Sequence, residues 1–238
     1  MRLNKYIASC GVCSRRAADK LIESGRITVN GAAPVIGLDI SDSDTVCFDG
    51  KEISPKKQHE YLAYYKPVGV VCTERDVHAK RTVIDDLGLD ERVTYAGRLD
   101  KDSEGLLIMT DDGDLIQAMM KGSKGHEKEY LVTVDKDIDD GFLNRMSEGL
   151  YLKELDRTTR PCTVKRTGDR SFDIVLTQGL NRQIRRMCDC LGYKVITLKR
   201  IRVMSVRLSD FDLKPGNFVR LNEKQINMLL EETGLKNK

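Results

Sequence analysis

Apolar residues at helical spacing predict two short helices at the start of the chain. The first apolar stripe covers residues 3–7 and the second covers residues 17–22. Ser14 precedes the second stripe, and its hydroxyl can accept a backbone N–H that the first helical turn leaves unpaired. Two short apolar runs follow at residues 27–29 and 45–48, and each ends at a turn-forming pair that contains glycine. We therefore expect a small domain of two helices and a few short strands.

The pattern changes after residue 60 to strands that are separated by long connections. Residues 54–60 have no large apolar side chain and are predicted to be a linker, which gives domains at residues 1–53 and 61–238. Apolar runs or alternating apolar positions predict strands at residues 62–65, 106–109, 130–134, 172–176 and 203–208. Strands joined by helix-containing connections are typical of an α+β domain with a mixed, largely antiparallel sheet.

A third helical stripe begins after Asn181, which could cap the helix. Arginines at positions 182, 185 and 186 crowd another face of this helix, where they repel one another unless anions lie among them. Basic residues outnumber acidic ones by eight to one in residues 179–207 and by six to two in residues 1–30, although the net charge of the chain is only +3. Two concentrated basic regions indicate contacts with a polyanion at two places.

The composition restricts the class of protein and its compartment. The 238 residues are 40% hydrophobic and 32% charged, which is typical of a globular protein. No apolar run approaches the roughly 18 residues that a membrane helix needs, and the first residues do not have the pattern of a signal peptide. We therefore expect a cytoplasmic protein that does not contact a membrane.

The cysteines favour thiols over disulfides or a metal site. There are seven, an odd number, in a chain of moderate length. The pairs Cys10-x-x-Cys13 and Cys188-x-Cys190 could in principle bind zinc, but the second pair lacks the usual two-residue gap. Buried free cysteine is the favoured interpretation, and we predict no bound metal.

The most informative segment is residues 97–113, which read Gly-Arg-Leu-Asp-Lys-Asp-Ser-Glu-Gly-Leu-Leu-Ile-Met-Thr-Asp-Asp-Gly. A charged loop here precedes an apolar strand, and by its spacing alone a surface turn is an equally good interpretation. The segment resembles the catalytic loop of the RsuA/RluF-type ribosomal RNA pseudouridine synthases. This resemblance implies that Asp100 is the catalytic residue. It also places Arg98 where it could fill the position that a flipped-out uridine vacates.

Further segments carry the same resemblance. The chain contains the family's Lys-Pro-x-Gly, Lys-x-Tyr-x-Val and Asn-Arg-Gln-Ile-Arg-Arg-Met motifs, which begin at residues 66, 128 and 181. The resemblance implies that Tyr130 lies under the target uracil, and that Arg185 pairs with Asp100. Asp100, Tyr130 and Arg185 are the catalytic residues that it predicts. Its predicted RNA-binding residues in this part of the chain are Lys66, Arg98, Asn181, Arg182, Gln183 and Arg186.

The front of the chain, roughly residues 1–49, resembles the S4 RNA-binding domain. The matching segments are Arg2-Leu-Asn-Lys-Tyr-Ile, Cys13-Ser-Arg-Arg-Ala-Ala-Asp and Gly25-Arg-Ile-Thr-Val-Asn-Gly. A solvated helix face is the alternative, but such a face usually carries more balancing acids. The expected fold is thus a small αL-like S4 domain followed by a synthase domain. The predicted RNA-binding residues of the S4 domain are Arg2, Lys5, Arg15, Arg16 and Lys20.

The resemblance implies an isomerase that converts uridine of ribosomal RNA to pseudouridine by base flipping. No cofactor is expected, because the reaction transfers no external group and has no net redox change. Whether Asp100 attacks the ribose or removes a proton from it stays open. The favoured substrate is 23S rRNA, as in the RluF branch, and 16S rRNA, as in the RsuA branch, is the alternative. A non-catalytic RNA-binding or ribosome-assembly protein on the same fold is a further alternative, and a monomer is expected in each case.

Overall fold

The computed structural model describes residues 1–73, 81–89, 92–121 and 124–236. The chain divides into two compact units. The first contains residues 1–60 together with short segments around Val93 and Asp112, and the second contains most of the remaining chain. Residues 54–60, the predicted linker, cluster with the first unit, so the division falls after Glu60.

The first unit contains α1 (Leu3–Ser9), α2 (Arg15–Glu23), β1 (Ile27–Val29), β2 (Val46–Phe48) and β3 (Lys51–Glu52). The strands form an antiparallel sheet in the order β1-β2-β3. Ser14 caps α2 as the sequence predicts, because its Oγ accepts the N–H of Ala17 at 3.3 Å. The pattern does not predict β3, since both of its residues are charged and exposed. The buried core of this unit consists of Leu3, Ile7, Ala18, Ile22, Ile27, Ile40 and Val46.

The second unit alternates strands and helices along most of its length. Its first half contains β4 (Tyr61–Lys66), α3 (Val83–Leu87), β5 (Thr94–Tyr95), β6 (Glu104–Thr110), α4 (Gly113–Met120), β7 (Lys128–Val134) and α5 (Asp140–Glu148). Its second half contains β8 (Tyr151–Leu152), β9 (Arg157–Thr158), β10 (Thr163–Gly168), β11 (Ser171–Leu176), α6 (Gln183–Cys190), β12 (Val195–Val203), β13 (Val206–Arg207), β14 (Phe218–Arg220) and α7 (Glu223–Thr233).

Within the described residues, nine strands of this unit form one sheet. The strand order is β10-β11-β7-β12-β6-β4-β14, with β5 added to β6 and β13 added to β12. The pair β12–β6 is parallel and the other pairs are antiparallel. The predicted α+β class with a mixed, largely antiparallel sheet is confirmed. Strands β8 and β9 form a separate two-stranded hairpin.

The centre of the sheet requires a glycine where β6 meets β12. Gly105 has φ +113°, and a Cβ on it would lie 2.2 Å from the carbonyl oxygen of Arg200. No other residue type fits this backbone approach without displacing β12. The segment that immediately precedes Gly105 is the predicted catalytic loop, so the close approach also fixes the end of that loop.

The prediction of one strand over residues 203–208 is wrong. Strand β12 ends at Val203, Met204 adopts φ +54°, and β13 returns antiparallel to β12. The pattern misses most of β12 because three basic residues interrupt its apolar positions. Two of them are accommodated by the fold: Arg202 Nε donates to Glu129 Oε2 at 2.6 Å, and Arg200 Nε donates to the carbonyl of Leu106 at 2.7 Å.

Two apolar clusters support the sheet of the second unit. One packs the buried side chains of β4, β6 and α4 with those of α7, and the other packs β7, β11 and β12 with α5 and α6. Phe142 of α5 contacts Phe172 of β11 edge to face, with ring centroids 5.3 Å apart. No helix in the described part of the chain is long and apolar enough to span a membrane.

Candidate active site

The predicted catalytic loop lies at the edge of a cleft of about 660 Å³ in the second unit. The loop connects β5 to β6, and its backbone turns between Asp100 and Ser103, where the Ser103 N–H donates to the Asp100 carbonyl at 3.1 Å. Asp100 is partly exposed to the cleft. Of the residues predicted from the sequence, Arg98, Asp100, Tyr130, Asn181, Arg182 and Gln183 line the cleft.

Lys66 does not face the cleft but holds the catalytic loop from beneath. Its side chain is completely buried, and Nζ donates to the carbonyl oxygen of Ser103 at 2.7 Å and to that of Pro67 at 2.9 Å. Burial lowers the pKa of Lys66 to about 8. The Lys66 side chain is not accessible in this structure, and its predicted contact with RNA stays a prediction. By its contacts the lysine positions the loop.

Arg185 also supports the loop and does not contact the catalytic carboxylate. Its Nη2 donates to the carbonyl oxygen of Asp102 at 2.9 Å and lies 3.4 Å from Ser103 Oγ, while Nη1 donates to the Val195 carbonyl at 3.3 Å. The predicted pairing of Arg185 with Asp100 is thus not what the structure contains. Arg185 is the third residue of α6, and these contacts join the helix to the loop. By its contacts Arg185 is a positioning residue.

Arg182 takes the place at Asp100 that the sequence assigns to Arg185. Its Nη1 lies 3.5 Å from Asp100 Oδ2. The Arg182 and Asp100 side chains are 42% and 32% exposed, so solvent screens the pair and its contribution to stability is small, about 0–1 kcal/mol. The ion pair therefore matters for the orientation of the carboxylate more than for the free energy of folding.

The backbone of Arg182 explains why it reaches the cleft. Arg182 stands at the N-cap of α6 with φ 51° and ψ 35°, the left-handed region, and its side chain makes no capping hydrogen bond. The prediction that Asn181 caps the helix is wrong: the Asn181 carbonyl accepts from Arg186 Nε at 3.0 Å instead. A non-glycine residue in this region costs about 1–2 kcal/mol, and such strain is concentrated at functional sites.

Two further residues of the α6 motif make contacts within the fold, and their predicted RNA contacts stay predictions. Gln183 is 4% exposed, and its Oε1 accepts the N–H of Leu180 at 3.1 Å, which closes the turn before the helix. Arg186 forms an ion pair with Glu154 and does not line the cleft. Both polar side chains are therefore used within the fold. Asn181 and Arg98 are exposed at the cleft, where their predicted RNA contacts stay predictions.

Three other contacts complete the support of the catalytic loop. The N–H of Gly69 donates to the Lys101 carbonyl at 2.8 Å, so the turn of the Lys-Pro-Val-Gly motif is attached to the loop. The Leu99 N–H lies 3.4 Å from Cys72 Sγ. Arg200 Nη1 lies 3.5 Å from the carbonyl oxygen of Arg98. The loop is thus held through its backbone by four separate segments of the unit, which leaves the Asp100 side chain directed at the cleft.

Tyr130 lies on the wall of the cleft that the sheet provides. It belongs to β7, opposite Ile174 of β11 and Arg200 of β12. The tyrosine is partly exposed, so its ring is available as a stacking surface for a planar ligand. Its predicted catalytic role stays a prediction, and its position in the same cleft as Asp100 is what that role requires.

The cleft is strongly basic. Among the described residues, eight lysines and arginines line it, and Asp100 is the one acidic residue of that lining. The motifs predict RNA contacts for Arg98 and Arg182 among these but not for the others, which lie in the catalytic loop, directly after α4, in β7 and β12, and in or just after the β8–β9 hairpin. The missed basic residues are Lys101, Lys121, Lys128, Arg157, Arg160 and Arg200. Such an excess of positive charge around one carboxylate is suited to a polyanionic ligand.

The cleft also contains unpaired polar atoms. Among the described residues, His126 Nε2, Gln178 Nε2 and Arg200 Nη2 are buried without a hydrogen-bond partner, and all three residues line the cleft. Burial lowers the pKa of His126 from its usual value, so the imidazole is neutral at pH 7 and Nε2 can accept a hydrogen bond. Buried polar groups are usually satisfied, and a bound polar ligand would supply such partners.

The predicted S4 residues are described within the first unit alone. Arg15, Arg16 and Lys20 are exposed on α2, as binding to a polyanion requires. Arg2 is also exposed, and its guanidinium lies 3.4 Å from Asp39. All seven cysteines are free, and the described residues contain no group of three or more His, Cys, Asp or Glu side chains that could hold a metal ion.

Comparison with known proteins identifies the family. The model of the RNA pseudouridylate synthase family matches residues 60–189, which include the catalytic loop and almost all of α6. The chain belongs to this family. The model of the S4 domain matches residues 1–32. Both resemblances inferred from the sequence motifs are thereby confirmed.

Relatives of this synthase cover most of its length. The chain is 44% identical over 215 residues to the dual-specificity RNA pseudouridine synthase RluF of Escherichia coli K12, which covers 90% of this chain and 73% of the relative. It is 37% identical over 241 residues to the ribosomal large subunit pseudouridine synthase B of Vibrio cholerae, covering 97% and 74%. A crystal structure of a pseudouridylate synthase superposes with a TM-score of 0.71 at 28% identity, covering 96% of this chain and 99% of the other.

Proposed function

We propose that this synthase isomerises a uridine of ribosomal RNA to pseudouridine and that 23S rRNA is its substrate. The observation that carries the proposal is the position of Asp100: it lies 3.5 Å from Arg182 in a cleft that, among the described residues, it shares with Tyr130 and eight basic residues. The name of the Vibrio cholerae relative, a ribosomal large subunit pseudouridine synthase, supports the choice of 23S rRNA. A monomer that acts in the cytoplasm without a cofactor or metal is part of the same proposal.

The reaction requires one bond to break and another to form on the same nucleotide. The bond from ribose C1′ to uracil N1 breaks, C1′ bonds to C5, and the proton on C5 is lost while N1 is protonated. Asp100 acts on the sugar, either as a nucleophile or as a base, and must be ionised for both. The Arg182 guanidinium beside it sets the direction of the carboxylate.

The basic cleft explains how a uridine could reach Asp100. A uridine in structured RNA must leave the base stack, which costs a few kcal/mol. Contacts between the cationic lining and the phosphates would offset that cost. Arg98, exposed beside Asp100, would occupy the vacated position in the stack, and Tyr130 would stack on the flipped uracil.

Mapping pseudouridines in total RNA tests the proposal. RNA from a strain that lacks the gene is compared with RNA from the same strain complemented with the wild-type chain. We expect one or a few sites in 23S rRNA to lose pseudouridine in the deletion strain and regain it on complementation. A lost site in 16S rRNA would redirect the assignment to the small subunit. An unchanged set of pseudouridines would favour a non-catalytic RNA-binding protein on the same fold.

A further inference from the structure

Residues 150–160 form an arm of the second unit that no sequence motif identifies. The arm contains the β8–β9 hairpin and connects α5 to β10. Arg157 and Arg160 are exposed on it, and both line the same cleft as Asp100. The arm therefore brings two exposed basic side chains to the cleft from one short segment.

The base of the arm is rigidly attached. Thr159 is 2% exposed, its Oγ1 accepts the N–H of Leu150 at 2.9 Å, and its own N–H donates to the Leu150 carbonyl at 2.9 Å. Gly149, with φ +91°, permits this approach, because a Cβ there would lie 2.4 Å from the Thr159 carbonyl oxygen. Leu152 is buried in the cluster that includes α5 and α6. These contacts therefore fix the backbone of the arm from which the two arginine side chains extend.

The arm is also joined to the helix that orients the catalytic carboxylate. Glu154 of the arm forms an ion pair with Arg186 of α6, whose Nε donates to the carbonyl of Asn181 at 3.0 Å. Asn181 directly precedes Arg182, the partner of Asp100. The positions of Arg157 and Arg160 are thus set by the same helix that positions the reacting group.

The chemistry of the arm matches RNA phosphates. Guanidinium groups bind phosphate oxygens bidentately, and their planar fork loses little freedom for each hydrogen bond formed. Two arginines three residues apart offer such groups to neighbouring phosphates along one strand. Contacts to phosphate position a nucleic acid without reading its sequence. An arm fixed to α6 would accordingly hold the strand in a set relation to Asp100.

We propose that the 150–160 arm is an RNA-binding element, in which Arg157 and Arg160 hold phosphates of the strand that carries the target uridine. The inference rests on the proposed function and adds a binding surface to it, separate from the S4 helix face and from the α6 motif. Losing these contacts raises the concentration of RNA needed for binding and lowers the number of counterions that binding displaces.

The test uses the full chain and 23S rRNA purified from a strain that lacks the gene. Binding of Arg157→Ala/Arg160→Ala is titrated at several salt concentrations and compared with wild type. The matched control is Arg145→Ala/Lys165→Ala, which removes two exposed positive charges of the same unit that lie outside the arm and do not line the cleft. A second variant, Arg157→Lys/Arg160→Lys, keeps the charges. Thermal unfolding checks that each variant is folded, and wild-type pseudouridine formation is measured on the same RNA.

We expect the alanine variant to bind more weakly and its log–log salt slope to fall by about 1.5 units, roughly 0.7–0.9 for each lost phosphate contact. The control should keep the wild-type slope, and the lysine variant should keep most of it. Equal slopes for the alanine variant and wild type, or equal losses for the alanine variant and the control, would overturn the proposal. If the wild-type chain forms no pseudouridine, the proposed function fails, whatever the arm contributes to binding.

Discussion

Arg182 Nη1 lies 3.5 Å from Asp100 Oδ2, whereas Arg185, in the same motif, bonds to the loop backbone at Asp102. The two arginines therefore have different roles, which the motif alone does not distinguish. Arg182 orients the reacting carboxylate of Asp100, and Arg185 holds the backbone of the catalytic loop at Asp102. Substitutions at the two positions should consequently differ in their effects on stability and on rate.

Arg182→Gly should lower the rate of pseudouridine formation without lowering stability. Glycine adopts φ 51° without strain, and the ion pair that is lost is largely exposed. We expect the free energy of unfolding to stay within about 1 kcal/mol of wild type, on the more stable side, because the strain of a left-handed arginine is relieved. Urea denaturation measures the free energy of unfolding, and single-turnover kinetics measure the rate of pseudouridine formation. A destabilised Arg182→Gly would contradict the account of the strain.

Arg185→Ala should lower both stability and rate. The substitution leaves the Asp102 and Val195 carbonyls without the guanidinium, at a cost of about 1–3 kcal/mol. Arg185→Lys keeps the charge but cannot reach both carbonyls with one fork, so an intermediate loss is expected. Urea denaturation of wild type, Arg185→Lys and Arg185→Ala ranks their free energies of unfolding. A stability of Arg185→Ala equal to that of wild type would show that the loop does not depend on this residue.

Lys66 makes the free energy of unfolding depend on pH. The unfolded lysine keeps its proton up to about pH 10.5, whereas the folded one releases it above about pH 8 because it is buried. Between these values the unfolded state binds more protons, so the free energy of unfolding rises with pH. Lys66→Met cannot titrate and should lack this rise. The free energy of unfolding of wild type and of Lys66→Met is measured from pH 7.5 to about 10.5. Parallel curves for the two proteins would show that folded Lys66 does not release its proton in this range.

The S4 helix face should supply affinity and no chemistry. Replacing Arg15, Arg16 and Lys20 by alanine should reduce the log–log salt slope of RNA binding by about 0.7–0.9 for each phosphate contact that is lost. Lys51→Ala/Lys57→Ala, which removes exposed charges elsewhere in the same unit, is the control. If the triple variant and the control have the same slope as wild type, the side chains on α2 are merely solvated.

The sequence motifs locate the site but not the task of each residue within it. Asp100, Arg98 and Tyr130 lie in one cleft, as the resemblance predicts. Helical periodicity predicts the apolar stripe of α6, since burial of one helix face repeats every three to four residues. It cannot predict that Arg182 adopts a left-handed backbone and exchanges places with Arg185 at the carboxylate. The contact of Arg182 with Asp100 depends on the left-handed φ and ψ angles of Arg182 at the start of α6.

Charged residues inside the sheet are the other part that the pattern does not predict. A lysine or arginine in a strand normally indicates an exposed face, yet Lys66 and Arg200 are 0% and 1% exposed. Their charges are accommodated by backbone carbonyls of the catalytic loop and of β6. Those acceptors come from segments distant in sequence, so only the folded chain reveals them. For the same reason the arm with Arg157 and Arg160 carries no local signal.

Asp100→Asn tests most directly whether the carboxylate of Asp100 performs the chemistry. The amide keeps the shape of the side chain and removes the charge that the reaction needs. The variant and wild type are incubated with 23S rRNA from the deletion strain, and pseudouridine is quantified in a single turnover alongside RNA binding and thermal unfolding. We predict that Asp100→Asn is folded and binds the RNA but forms no pseudouridine. Appreciable pseudouridine formation by the folded variant would contradict the account.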